Sequence, residues 1–230
     1  MTTDIEVDGG SVTLMNHTPD GDLLVVNAAR CSFDKEHKEF DTDKDVKLLN
    51  YLAREKHVLP FRHPSATLRV TAPIFVLRQA LKSQVGMSAS EVSRRYITTE
   101  PEFHRPKGMW REAADNVKQG SSDDVINLEH GIVVDNKLHV HYTQSLNLYN
   151  YLLESNICPE QARMVLPQSM YSTVVWTGTL LAWHHFVDLR IHPHAQKEIR
   201  RFAKAIDVIM NNIFYYSWNA LKLSSVYNKE

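Results

Sequence analysis

The sequence predicts an α/β or α+β fold in which long helices pack on a sheet. Three observations predict it: short alternating apolar segments lie early in the chain, long helical periodicities lie late, and Gly, Pro and Asp residues punctuate them. Val12 to Met15 and Leu23 to Asn27, parted by Pro19-Asp20-Gly21, read as a strand, a turn and a strand. Asp41 to His57 reads as a helix: Asp41, Thr42 or Asp43 can cap it, Val46, Leu49 and Leu52 share one face, and Leu59-Pro60 ends it. Ala66, Leu68 and Val70 alternate with Thr67, Arg69 and Thr71 as in a half-buried strand.

Pro73 suits the first turn of a helix carrying Ile74, Leu77 and Leu81, and Gly86 to Ser90 reads as a loop. Residues 101–123, rich in charge and turn formers, read as an irregular surface segment of a single domain spanning 1–230. Leu138 to Asn156 is a long amphipathic helix, and Pro159 to Val165 a short one stopped by Pro167. Thr179 to Leu189 and Ala195 to Leu221 are helices parted at His192-Pro193.

Composition narrows the function classes. Of 230 residues, 26 are basic and 27 acidic, a balance that argues against a nucleic-acid binder but not against small anionic ligands. No apolar run approaches the length of a membrane span, and the acidic, polar start is no signal peptide. Two cysteines, Cys31 and Cys158, build neither a disulfide framework nor a cysteine-rich metal site, so a reducing cytoplasm is the expected compartment.

The stretch most informative for chemistry is Arg78 to Tyr96. Glu91-Val92-Ser93-Arg94-Arg95-Tyr96 places a carboxylate, a hydroxyl and two guanidinium groups within six residues. Paired guanidinium donors beside a hydroxyl suit a phosphate, while the same spacing also suits a solvated strand edge.

Four blocks carry a resemblance to a known family. Ala28-Ala29-Arg30-Cys31-Ser32-Phe33, the segment Pro60 to Tyr96, Gln161-Ala162-Arg163-Met164-Val165-Leu166-Pro167, and Leu189 to Ile199 (LRIHPHAQKEI) stand in that order. They resemble the conserved blocks of the flavin-dependent thymidylate synthases (ThyX), in the branch with a Lys-His-Gln element and a Glu-Val-Ser-Arg-Arg-Tyr ending. Three positions depart from the pattern: Ser83 replaces a His, Ser90 an Asn and His185 an Asn.

The resemblance implies a mixed sheet with long helices, assembled as a homotetramer. It implies methylation of dUMP to dTMP with FAD as cofactor and NADPH and 5,10-methylenetetrahydrofolate as co-substrates. Arg190 matches the position that favours ionisation at N3 of the uracil, although an arginine there also suits the end of a helix. The implied dUMP contacts are Gln79, Lys82, Glu91, Val92, Ser93, Arg94, Arg95, Arg163 and Arg190; the implied FAD contacts are His57, Ser83, Gln84, Val85, Glu91, Thr179, Leu180, Leu181 and His185. Flavin chemistry needs no protein nucleophile, which agrees with the scarcity of cysteine.

The departures at Ser83 and Ser90 leave open a related C5 modification such as hydroxymethylation, and a non-catalytic flavin- or nucleotide-binding homologue is the alternative from another class. Twelve histidines include the neighbours His184, His185, His192 and His194, but adjacent helical residues point about 100° apart and no familiar ligand spacing is completed, so no metal is expected. Phe214 to Trp218 reads as helix packing rather than a base-stacking platform.

Overall fold

The computed structural model describes residues 3–97, 99–106, 109–113 and 122–225. Its strands are β1 (Asp4–Val7), β2 (Gly10–His17), β3 (Ser65–Pro73), β4 (Met87–Glu91) and β5 (Tyr171–Thr179). They form one sheet in the order β1-β2-β3-β5-β4, and every pairing is antiparallel. The sheet is therefore not mixed, and the class is α+β. Gly10 closes the β1–β2 turn at φ +144°; a Cβ there would stand 1.9 Å from the Thr71 carbonyl oxygen, so only glycine fits.

The helices are α1 (Gly21–Arg30), α2 (Thr42–Arg54), α3 (Ile74–Ala80), α4 (Leu128–Glu154), α5 (Pro159–Ala162), α6 (Leu180–Ile191), α7 (Lys197–Ile213) and α8 (Tyr215–Ser224). Among the described residues no helix is long and apolar enough to cross a membrane. The two faces of the sheet differ. Ala66, Leu68, Val70, Val174 and Trp176 are buried against helices, whereas the other face shows Thr67, Arg69, Thr71, Thr173 and Thr177. Hydroxyl pairs Thr67–Thr177 and Thr71–Thr173, each 2.9 Å, join β3 to β5 across that polar face. On the covered face Trp176 meets the rings of Trp183 and Phe186, each at 4.9 Å, and the Trp183 indole N–H donates to the Ala66 carbonyl at 3.1 Å.

Four elements differ from the sequence expectation. Leu23 to Asn27 is helical, because Asp20 takes the left-handed conformation and turns the chain into α1, which buries Val25 and Val26 together. A short apolar run fits either a strand or a buried helix, and tertiary packing decided it. Gly86 to Ser90 is mostly strand: β4 is an edge strand of small residues whose pairing with β5 supplies what β propensity does not. The segment Ala195 to Leu221 is two helices, broken at Phe214 (φ −134°), whose ring is fully buried. Finally, α4 starts ten residues before Leu138, at an Asn127 cap that accepts from the His130 N–H at 2.8 Å. Of the 101–123 segment, the described part makes two isolated bridges, Phe103 with Met170 and Arg111 with Val125; residues 107–108 and 114–121 lie outside the described residues.

The N-terminal helices are fixed by charge. Asp41 caps α2 through the N–H groups of Asp43 and Lys44. Asp45, one turn on, has no exposed surface; it takes the Arg30 guanidinium at 2.5 Å and the Asp41 N–H at 2.9 Å. Arg30 of the Ala28 to Phe33 block thus ties α1 to α2. Asp45→Asn leaves the Arg30 cation, only 15% exposed, without its counter-charge, and the expected loss is about 3 kcal/mol of stability. The urea midpoint reads it, and the added change Arg30→Met should recover part of that loss, since an apolar replacement of a buried pair is near neutral.

Candidate active site

The structure draws the sequence-predicted site residues into three groups. The first joins α3 to α6. The Arg190 Nη2 donates to the Gln79 carbonyl oxygen at 3.1 Å. Two polar atoms beside that bond are buried without a partner among the described residues: Arg190 Nε, a donor, and Gln79 Oε1, an acceptor. Burial holds the Arg190 pKa below its ordinary value, yet a guanidinium stays cationic at neutral pH. Buried polar atoms are nearly always satisfied, so these two leave hydrogen-bonding capacity open to a ligand.

The second group gathers where β4 meets α5. The Val92 N–H donates to the Thr173 carbonyl and extends the β4–β5 ladder by one residue. The chain then turns, and the Ser93 hydroxyl accepts from the Arg95 N–H at 3.3 Å. The Arg95 guanidinium lies 4.9 Å from the centre of the Tyr96 ring and donates to Glu160 at 3.1 Å. Arg163 follows Glu160 by three residues and is exposed. Arg94, by contrast, is buried and donates to the Thr99 carbonyl of its own loop. Glu91 and Lys82 are exposed.

The third group surrounds the start of α6. Thr179 donates its N–H to the Gly86 carbonyl at 3.1 Å, and its hydroxyl accepts from the Ala182 N–H at 3.2 Å. Gly86 sits at φ +73°, with Ala182 and Thr179 3.1 Å from where a Cβ would stand, so it lets the Ser83-Gln84-Val85 loop fold tightly against α6. Val85 is 86% exposed. Leu180 and Leu181 are buried in the core, 0% and 4% exposed. His185 lies on the open side of α6, its pKa lowered chiefly by partial burial, with Arg62 adding to the effect. His57 follows α2 and sets its ring edge-on to Tyr51, just before the 59–62 turn that packs on α6.

No hydrogen bond or ion pair among the described residues links the Arg95 group to the Arg190 group. Sequence reasoning missed Glu160: its i, i+3 spacing to Arg163 was visible, but its partner Arg95 lies 65 residues away. Both cysteines are exposed free thiols.

The sequence model of the family described as "Thymidylate synthase complementing protein" matches residues 13–214. A flavin-dependent thymidylate synthase of Thermus thermophilus is 34% identical over 216 residues, covering 94% of this chain and 77% of its own. The same-named protein of Thermotoga neapolitana is 34% identical over 218 residues, covering 93% and 91%. Among solved structures, the UMP/dUMP methylase PolB from Streptomyces cacaoi bound with 5-Br dUMP superposes with a TM-score of 0.83 at 29% identity, covering 95% of this chain and 97% of its own.

Behind His185, on the inner side of α6, His184 is 7% exposed, edge-on to Trp218 at 5.7 Å, with neither ring nitrogen partnered among the described residues. Burial lowers its pKa from 6.5 to about 4, against a weaker pull from Asp188. The unfolded chain therefore takes up this proton first as pH falls. The contribution of neutral His184 is present above about pH 6.5 and lost on descent to about pH 4, at most about 3 kcal/mol in all. In urea midpoints measured from pH 7.5 to 4.5, His184→Leu should flatten this part of the decline; an unchanged slope would place the titration elsewhere.

Proposed function

The chain belongs to the thymidylate synthase complementing protein family, and from that premise we propose that it methylates dUMP to dTMP in a flavin-dependent reaction. The observation that carries the reading is the unpartnered pair at Arg190 and Gln79. A uracil ring presents one imide edge with an N–H donor flanked by carbonyl acceptors. Arg190 offers that edge a donor and Gln79 an acceptor, both left unpartnered by the described residues. The permanent Arg190 cation then favours negative charge on the ring, and a more electron-rich ring makes C5 a better nucleophile.

The Arg95 group fits the other end of the nucleotide. Arg95 and Ser93 hold the phosphate, with Arg163 one turn along the neighbouring segment. Arg94 supports this loop from inside rather than touching the phosphate. The residues at the start of α6 fit FAD: the Ser83 to Val85 loop, the backbone of Thr179 to Leu181, His57, His185 and the Glu91 carboxylate would hold it. When bound, reduced flavin supplies the hydride, 5,10-methylenetetrahydrofolate the carbon and NADPH the reducing equivalents.

We propose further that each chain acts as one domain and that four chains assemble to complete the sites. Ile132, Val133, Val140, Leu148 and Tyr151 leave α4 with apolar side chains in solvent, and the Arg95 and Arg190 groups are not bonded to one another within one chain. Light scattering at micromolar concentration with FAD present should return a tetramer mass; a monomer would refute the assembly.

Incubation with dUMP, methylenetetrahydrofolate, FAD and NADPH should yield dTMP, identified by its mass; a hydroxymethylated product would point to the neighbouring chemistry. In the same assay, Cys31→Ala with Cys158→Ala should keep most activity. Arg190→Ala should lose on the order of a hundred- to a thousand-fold in turnover, by analogy with removal of one oxyanion donor. An inactive cysteine variant beside an active Arg190→Ala would overturn the flavin mechanism.

A further inference from the structure

The Arg95 guanidinium already holds an anion from its own chain. Its Nη1 lies 3.1 Å from Glu160 Oε1, and the two side chains are 42% and 61% exposed. Glu160 sits in the first turn of α5, three residues before Arg163, so one short segment brings a carboxylate and a second cation to the mouth of the same group. A carboxylate paired with Arg95 takes the charge and hydrogen-bonding role that a phosphate would have there.

We propose that Glu160 is a displaceable placeholder: it occupies Arg95 in the empty site and gives way when the phosphate of the nucleotide arrives. The inference rests on the reading of Arg95 as a phosphate ligand. Three features support displacement rather than a fixed pair. Both partners are exposed, so Glu160 exchanges its contact for water at little cost. No other hydrogen bond among the described residues holds the Glu160 carboxylate. The incoming phosphate carries more charge and more acceptor oxygens than a carboxylate, and so wins the exchange. Small monoanions and unphosphorylated nucleosides lack that advantage. Glu160 therefore makes the site selective for a phosphorylated pyrimidine nucleotide, acting through Arg95 as a positioning residue.

The test is calorimetry on the full chain with dUMP and with deoxyuridine, which lacks the phosphate. Glu160→Gln removes the competing charge and keeps the shape. It should tighten dUMP binding about two- to fivefold, the range of an exposed ion pair, and lower KM for dUMP in parallel. Deoxyuridine should gain nothing, and Glu160→Asp should restore most of the competition. Arg95→Ala should weaken dUMP binding roughly ten- to a hundred-fold, and Glu160→Gln added to it should bring no further gain. Unchanged or weaker dUMP binding by Glu160→Gln would overturn the placeholder. So would a gain that persists without Arg95, since the effect would then be a general field. Arg95→Ala binding dUMP like the parent protein would instead refute the phosphate reading, and the placeholder with it.

Discussion

The nine-residue pairing of β3 with β5 is the constraint on which the rest of the structure depends. Ser65 opposes Thr179 at one end and Pro73 opposes Tyr171 at the other. Because the strands are antiparallel, the helix after each strand leaves from opposite ends: α3 from Pro73 and α6 from Thr179. Nine residues of ladder span roughly 27 Å, while the helical rises from Pro73 to Gln79 and from Thr179 to Arg190 come to about 9 and about 17 Å. Both helices pack on the sheet, α3 on β3 and β5 and α6 on β5, and the Arg190 side chain bridges them at the Gln79 carbonyl. A one-residue slip of the ladder would move that meeting and also turn the Leu68, Val70, Val174 and Trp176 side chains away from the core.

The site carries buried polar atoms that the described residues do not satisfy. Most buried donors in the core have found acceptors: the Trp183 indole reaches Ala66, and the Trp218 indole reaches Asp207 at 2.8 Å. The unpartnered atoms of Arg190 and Gln79, like those of Arg30, Glu198, Arg200 and Ser217, carry a desolvation cost that only a further partner offsets. His184 carries the same kind of cost, but its ring faces the Trp218 side of α6, and the neutral imidazole meets the cost by resisting protonation. The two cases separate a polar group awaiting a ligand from one absorbed into packing.

The fold was legible in the sequence wherever local signals and tertiary packing agreed. The alternation at Ala66 to Val70 and the Asp41 cap of α2 are of that kind. It was not legible where packing overrode local preference. Leu23 to Asn27 lacks any feature that separates a buried strand from a buried helix until α8 packs beside it. β4 has small residues in place of β-branched ones and exists because β5 lies alongside; β5 itself alternates from Tyr171 to Thr179 and could have been found by its period. The candidate site shows the same division. The residue types came from motif blocks, but motifs are linear. They did not reveal that Arg94 turns inward while Arg95 turns outward, that Leu180 and Leu181 are core residues, or that Glu160 answers Arg95. Nor did they reveal that Arg30, in the first block, pairs with the buried Asp45.

The docking of α8 sets a condition on how the chain reaches this state. Asp22, near the start of α1, accepts the N–H groups of Tyr216 and Ser217 at 3.1 and 2.8 Å, across 194 and 195 residues of sequence. Phe40 stacks on Tyr216 at 4.7 Å, and α8 lies along α2. On the ribosome, α1 and α2 therefore emerge long before the helix that covers them. Until residues 215–224 follow, the early helices have an open apolar flank, while β3 waits for β5 across 102 to 110 residues. The contacts that complete the core are therefore long-range in sequence, which delays their formation until the last helix is made.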